Sequence, residues 1–310
     1  MEAGAAGRMT MPLTGIATFA GAPLLAQEPR PHFAVFGIPF DAATGYRPGA
    51  RLAPRAIRDA STRYALPWGA GNPGYWDVEE DQVFLRGCRL GDAGDVDPLY
   101  TDLGALDERT EVLVGAVLRA GAIPLGLGGD HSVTYPILRA FAGLGRTVDI
   151  LQIDAHLDFS QDVGGFTRSN SSPIRRAGEL PWVGPVTVSG VRGIRASREA
   201  WQAARQRGHR MVLARDGLAA ALAALPVGRD LYITLDIDGL DPAVAPGTSS
   251  PEPGGLAFRE VRAILRHAAQ GNRIVGADVV EVNPYLDPTG VTSLLAARLL
   301  LEIMACAAPA

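Results

Sequence analysis

The chain has 310 residues, 47% of them hydrophobic and 20% charged, and a formal net charge of −4. Such a composition excludes wholesale disorder, and a negative balance without a basic cluster argues against a nucleic-acid partner. The length admits one or two domains, and no apolar run reaches the ~18 residues that a membrane-spanning helix needs.

Arg8 and the apolar stretch running to Leu24-Leu25-Ala26 loosely imitate a secretory signal, but Pro12, Gly15, Gly21 and Pro23 interrupt it. Residues 1–30 are therefore expected to form an irregular arm over a neighbouring surface. Phe33–Ile38 reads as the first strand, with Pro39-Phe40-Asp41 beginning the loop that leaves it. Pro54 suits the first turn of a helix continuing through Ile57 and Ala60. Residues 66–82, rich in Gly, Pro and Trp, predict a long irregular segment, the place to look for subunit contacts. A short strand is expected near Val83–Leu90, and Asp92–Pro98 reads as a loop whose acids face water. Leu103–Arg119 has helical spacing closed by Gly121, and Ala122–Leu127 resumes as strand.

Strand and helix then alternate to the end, with strands near 148–153, 186–191, 210–214, 230–236 and 273–280 and helices near 197–207, 217–224, 257–269 and 291–306. Regular alternation implies βαβ units, a mostly parallel sheet of about eight strands and helices on both faces. With no break in composition, one domain spanning 1–310 is expected. Cys88 and Cys306 are too far apart in sequence for a disulfide framework and point to free thiols and a cytoplasmic home.

Three strand ends carry metal-type ligands. The first is Gly128-Gly129-Asp130-His131, the second Asp154-Ala155-His156-Leu157-Asp158, the third Thr234-Leu235-Asp236-Ile237-Asp238. Each has a bland explanation alone: Asp130 capping a helix, a satisfied core histidine, acids facing water. If the sheet is parallel, however, all three leave the same edge, where open α/β sheets hold their ligands. In an extended chain Asp154, His156 and Asp158 share one face, but ~3.3 Å per residue would separate the two acids by ~13 Å, so the chain must curl after His156. Asp154, Asp158, Asp236 and Asp238 in one cleft cannot all remain ionised without compensation, and two divalent cations supply it. Two imidazoles with four carboxylates suit Mn²⁺, without excluding Zn²⁺, Fe²⁺ or Ni²⁺.

The chain resembles the ureohydrolase family of arginases and agmatinases, whose signatures Gly-Gly-Asp-His, Asp-Ala-His-x-Asp and Ser-x-Asp-x-Asp-x-x-Asp-Pro are matched at 128–131, 154–158 and 234–242, with Thr234 for the Ser. The likeness runs from about Phe33 to Glu302 and is closest to agmatinases. It implies the arginase/deacetylase fold, a three-layer α/β/α sandwich on an eight-stranded sheet, and a homo-oligomer, trimer or hexamer. It further implies that His131 and Asp158 hold one Mn²⁺ and His156 and Asp238 the other, with Asp154 and Asp236 bridging both. A water activated between the ions attacks the guanidinium carbon, Asp158 passes a proton to the departing amine, and urea is released. Glu281, at the end of the 273–280 strand, pairs the guanidinium.

One position departs from the pattern. Many family members have a histidine after the second motif, where this chain reads Ser169-Asn170-Ser171-Ser172-Pro173. Asn170 can hydrogen-bond a substrate but cannot titrate near neutral pH. Agmatine, giving putrescine and urea, is the expected substrate, with Tyr46, Phe159, Phe166 and Trp182 as aromatic candidates for the mouth. Arg47 and Arg168 point the other way, toward guanidinobutyrate or another guanidino acid. A single-zinc deacylase of the same superfamily and a non-catalytic metal sensor are the rival readings.

Overall fold

The computed structural model describes residues 16–309, so most of the signal-like run from Arg8 lies outside the described residues. In chain order the elements are β1 (Phe33–Gly37), α1 (Ala53–Ser61), β2 (Tyr75–Asp77), β3 (Gln82–Phe84), β4 (Leu90–Asp95), α2 (Leu103–Arg119), β5 (Ile123–Leu127), α3 (Thr134–Arg139) and β6 (Val148–Ile153). There follow α4 (Pro173–Ala177), β7 (Val183–Val191), α5 (Arg198–Gln206), β8 (Arg210–Leu213), α6 (Gly217–Ala224), β9 (Asp230–Asp236), α7 (Phe258–Gly271), β10 (Arg273–Val280) and α8 (Val291–Ala307).

Eight strands form one sheet in the order β4-β1-β5-β10-β9-β6-β7-β8, every pairing parallel. Alternate strand side chains enter different layers. Leu151 and Ile153 of β6 pack with α7 and α8, whereas Val148 and Ile150 pack with α2, α3, α4 and α5. Both faces of the sheet are thereby covered, which is why its strands read as continuous aliphatic runs, and the result is the expected three-layer α/β/α sandwich. Burying each such Ile or Leu contributes about 1.5–3 kcal/mol.

Two expectations fail in the region before α2. The single strand near Val83–Leu90 is instead two: β3, which pairs in a small antiparallel hairpin with β2 from the segment 66–82 expected to be irregular, and β4, an edge strand beside β1. Asp92 is accordingly no solvated loop acid. It lies buried in β4 and is gripped by the α1 residue Arg58, Nε to Oδ2 at 2.8 Å and Nη2 to Oδ1 at 2.9 Å. A charge in a covered edge strand needs such a partner, and the partner is 34 residues away in sequence. The arm before β1 packs against the same edge, Phe19 donating its N–H to Asp92 Oδ2 (2.9 Å).

Neighbouring β5, β10, β9 and β6 end side by side at the centre of the sheet. At a strand spacing of ~4.8 Å, their four carboxyl ends span about 14 Å. Among the described residues, no helix is long and apolar enough to cross a membrane.

Candidate functional site

After β5 the chain must pass close beneath its neighbours. A Cβ on Gly129 would collide with the carbonyl of Phe40, and one on Gly128 would stand 2.5 Å from Val280 Cγ1, so only glycine fits at both. Asp130 then caps the following turn, accepting from Ser132 N–H (3.0 Å), and ties it to Ala43 N–H (3.0 Å). That turn fixes His131, wholly buried. Its Nε2 lies 2.9 Å from Thr234 Oγ1 on β9, which would accept the ring proton when Nδ1 serves as a metal ligand. Nδ1 is 2.7 Å from Asp158 and 3.3 Å from both Asp154 and Asp236, yet makes no well-directed hydrogen bond.

From β6, Asp154 is held by Gln152 Nε2 (2.7 Å) and by the His156 N–H (2.6 Å). The anticipated curl is present: Asp158 has φ +46°, a left-handed conformation costing a non-glycine residue about 1–2 kcal/mol. From β9, Asp236 accepts the Asp238 N–H (2.9 Å), and Asp238 accepts the Ala155 N–H (3.2 Å). Ligand-type atoms of His131, Asp154, Asp158 and Asp236 lie within 4.8 Å of one another, as do those of Asp154, His156 and Asp238. Two groups thus share Asp154. Asp236, expected to bridge, stands with the first group only.

The charges in this cluster are mutually dependent. Burial raises the carboxyls of Asp236 and Asp238, and burial together with the Asp154 charge lifts Asp158 to about 6. Burial opposes charge on His156 as well, but Asp154 and Asp238 outweigh it and push the imidazole up to about 12. His131 is raised well above its ordinary value against the same penalty, by Asp158, Asp154 and Asp236. The acids therefore demand positive charge from whatever stands among them. Divalent cations meet that demand with neutral rings, and the His131 Nδ1 without a directed partner is a donor atom already aimed at the cluster. The donor set fits a pair of oxygen-preferring ions.

Glu281 follows β10 with φ +62°, again left-handed, and is buried. Its Oε1 accepts from His131 N–H (2.9 Å) and Asn170 Nδ2 (3.0 Å), while Oε2 has no partner. Burial, then the nearby Asp130, raises this carboxyl to about 8. Asn170 thus buttresses Glu281 and faces the same cleft, together with His156, Asp158, Asp236 and Asp238.

The mouth differs from expectation. Tyr46 and Phe159 line the cleft, but half-buried Trp182 packs away from it against the layer of α3, its indole N–H donating to Leu138 O (2.9 Å). Phe166 is exposed outside the lining. Arg168 is bound bidentately by Asp107 at 2.7 Å and lies over Tyr135, away from the cleft. Arg192 and Arg195, in the loop after β7, line it instead. Sequence reasoning passed over them, since the only signal was two arginines in the turn that follows a strand.

A model of the arginase family matches residues 31–306. The mitochondrial guanidino acid hydrolase of Homo sapiens is 37% identical over 286 residues, covering 89% of this chain and 78% of that protein. The agmatinase of Bacillus anthracis is 35% identical over 274 residues, covering 87% and 90%. Among solved structures, the proclavaminate amidino hydrolase of Streptomyces clavuligerus superposes with a TM-score of 0.82 at 31% identity, over 96% of this chain and 99% of that one.

Proposed function

The chain belongs to the arginase family and is a metal-dependent amidinohydrolase of guanidino compounds; we propose that it releases urea from a linear guanidino substrate at a pair of Mn²⁺ ions. The observation that carries this reading is one cleft holding both ligand groups and, beside them, a carboxylate with one oxygen uncommitted.

His131 and Asp158 would hold one ion and His156 and Asp238 the other, with Asp154 shared and Asp236 reaching across from the first group. Bound there, the ions would supply a water activated near neutral pH. Glu281 receives the guanidinium through Oε2, its Oε1 being fixed by His131 N–H and Asn170. That contact orients the planar guanidinium for attack. Asp158, lining the cleft beside the ligand groups, is placed to carry a proton to the leaving nitrogen. Asn170 performs the holding role that needs no titration, so its replacement of histidine does not argue for a sensor.

Agmatine and the guanidino acids share the end of the molecule that this geometry addresses, and relatives named for each are about equally similar. A shared Asp154 and a second ligand group favour two ions over the single zinc of a deacylase. We further infer a reducing compartment such as the cytoplasm, on two unpaired thiols, and a homo-oligomer. The test is to load the protein with Mn²⁺, count ions per chain, and assay urea from agmatine, 4-guanidinobutyrate and arginine. Two ions and urea are expected; one ion per chain, or no urea from any substrate, would overturn the reading.

A further inference from the structure

The outer half of the cleft has a polarity that the metal ligands do not explain. The carboxylates lining the cleft are Asp158, Asp236, Asp238 and Glu281, all engaged at its inner end, and among the described residues no other acid lines it. Two cations do. Arg192 is committed to structure: its nitrogens donate to the main-chain carbonyls of Gly190, Asp238, Leu240 and Glu252 at 2.7–3.1 Å. Arg195 is not. It is exposed, and among the described residues its one side-chain hydrogen bond is a long contact, 3.4 Å, to Ser250 Oγ.

A substrate whose far end is an ammonium would therefore meet a guanidinium and no further carboxylate in the lining, the Glu252 carboxylate lying outside it against Gly193. Nor does the aromatic mouth offer it a ready seat, because one face of Tyr46 is already covered by the Arg47 guanidinium, 4.7 Å from the ring centroid. A far-end carboxylate meets the opposite situation: a guanidinium fork without a bound acid, flanked by the hydroxyl-bearing Ser197 and Ser250. We infer that Arg195 receives a carboxylate at the far end of the substrate and so selects guanidino acids over guanidino amines. The inference rests on the proposed binding of a guanidinium at Glu281 and adds the second point of attachment.

The test measures binding of 4-guanidinobutyrate and of agmatine by calorimetry to the Mn²⁺-loaded full chain, in wild type, Arg195→Gln and Arg195→Lys. Wild type should bind the guanidino acid more tightly. Arg195→Gln should weaken that binding about tenfold and leave agmatine no weaker, and Arg195→Lys should recover part of the loss, as expected for one charge-assisted contact. An unchanged ratio in Arg195→Gln, tighter binding of agmatine by wild type, or binding of neither compound would overturn the inference. Urea release is followed in parallel. Guanidinobutyrate bound through Arg195 without urea would sink the hydrolytic reading and leave this one standing, whereas urea from agmatine alone would do the reverse.

Discussion

Thr234→Val tests whether the hydroxyl behind His131 sets the metal site. Valine keeps the shape of threonine, so no cavity opens; what disappears is the acceptor 2.9 Å from His131 Nε2. Thr234 is itself steadied from behind, its Oγ1 lying 3.4 Å from Thr134 Oγ1, which donates to Asp278 at 2.8 Å. A wholly buried imidazole N–H left without an acceptor costs about 1–3 kcal/mol. At ~1.4 kcal/mol per factor of ten, that is roughly 5- to 150-fold in an equilibrium constant, the range seen when partners behind a metal ligand are removed. Part of the loss falls on the stability of the metal-free fold and part on affinity. The assay accordingly pairs the Mn²⁺ dissociation constant, from competition with a chelator, with the denaturant midpoint of the metal-free protein. Thr234→Ser, which keeps the hydroxyl, should behave as wild type in both. A Thr234→Val protein with unaltered affinity and unaltered midpoint would refute the assignment of Nε2 as the anchored nitrogen.

Glu281→Gln removes the negative charge facing the guanidinium and should lower kcat/KM for every guanidino substrate by about 2–4 kcal/mol, roughly 30- to 1000-fold, while two Mn²⁺ remain bound. Loss of the ions in that variant would show that Glu281 belongs to the ligand set. Asp92→Asn deprives buried Arg58 of its main partner, leaving Asp95 at 2.6 Å, and should cost about 3 kcal/mol by denaturant unfolding; no change would mean that the α1–β4 pair is not a structural tie. His209 is pushed down to about 4, from an ordinary 6.5, by burial and then by Arg207. A depressed imidazole is neutral in the fold and takes up its proton sooner when unfolded, so its contribution is intact above pH 6.5 and is lost as pH falls from there toward 4. That loss is at most about 3 kcal/mol. His209→Gln should flatten this part of the stability–pH curve relative to wild type, and parallel curves would contradict the burial argument.

The three ligand motifs were legible because each combines a signal of chain direction with a signal of chemistry: an aliphatic strand, then acids or histidine where it ends. The curl at Asp158 could be deduced from strand rise alone. What the residues did not disclose is spatial order. Chain order runs β5, β6, β9, β10, but the sheet runs β5-β10-β9-β6, and this order sets Glu281 between the His131 and Asp236 strands. The hidden strand β4 was lost for a different reason. Its Leu90-Gly91-Asp92-Ala93-Gly94-Asp95 has the composition of a turn, and only Arg58, from a distant helix, makes a buried acid there tolerable. The mouth was only partly legible for the same reason: Trp182, Phe166 and Arg168 were candidates by side-chain type, whereas Leu138 O, solvent and Asp107 decide where each goes.

The charge of the site explains why its parts depend on one another. Four aspartates match two divalent ions, and once that balance is struck no cation is left for Glu281, whose Oε2 no protein donor reaches. Without one, Glu281 holds its proton, because burial and then the nearby Asp130 raise that carboxyl to about 8. A guanidinium, permanently charged and planar, is a ligand that ionises it and satisfies Oε2 in the same contact. The left-handed backbone at Glu281 makes sense in these terms. Strain of ~1–3 kcal/mol is tolerated because the conformation aims the carboxylate at the cleft while the His131 N–H and Asn170 hold its other oxygen. Selectivity for guanidinium over a neutral amide then follows from the site being one charge short until substrate arrives, and it would vanish in any variant that neutralises Glu281 without disturbing the four aspartates.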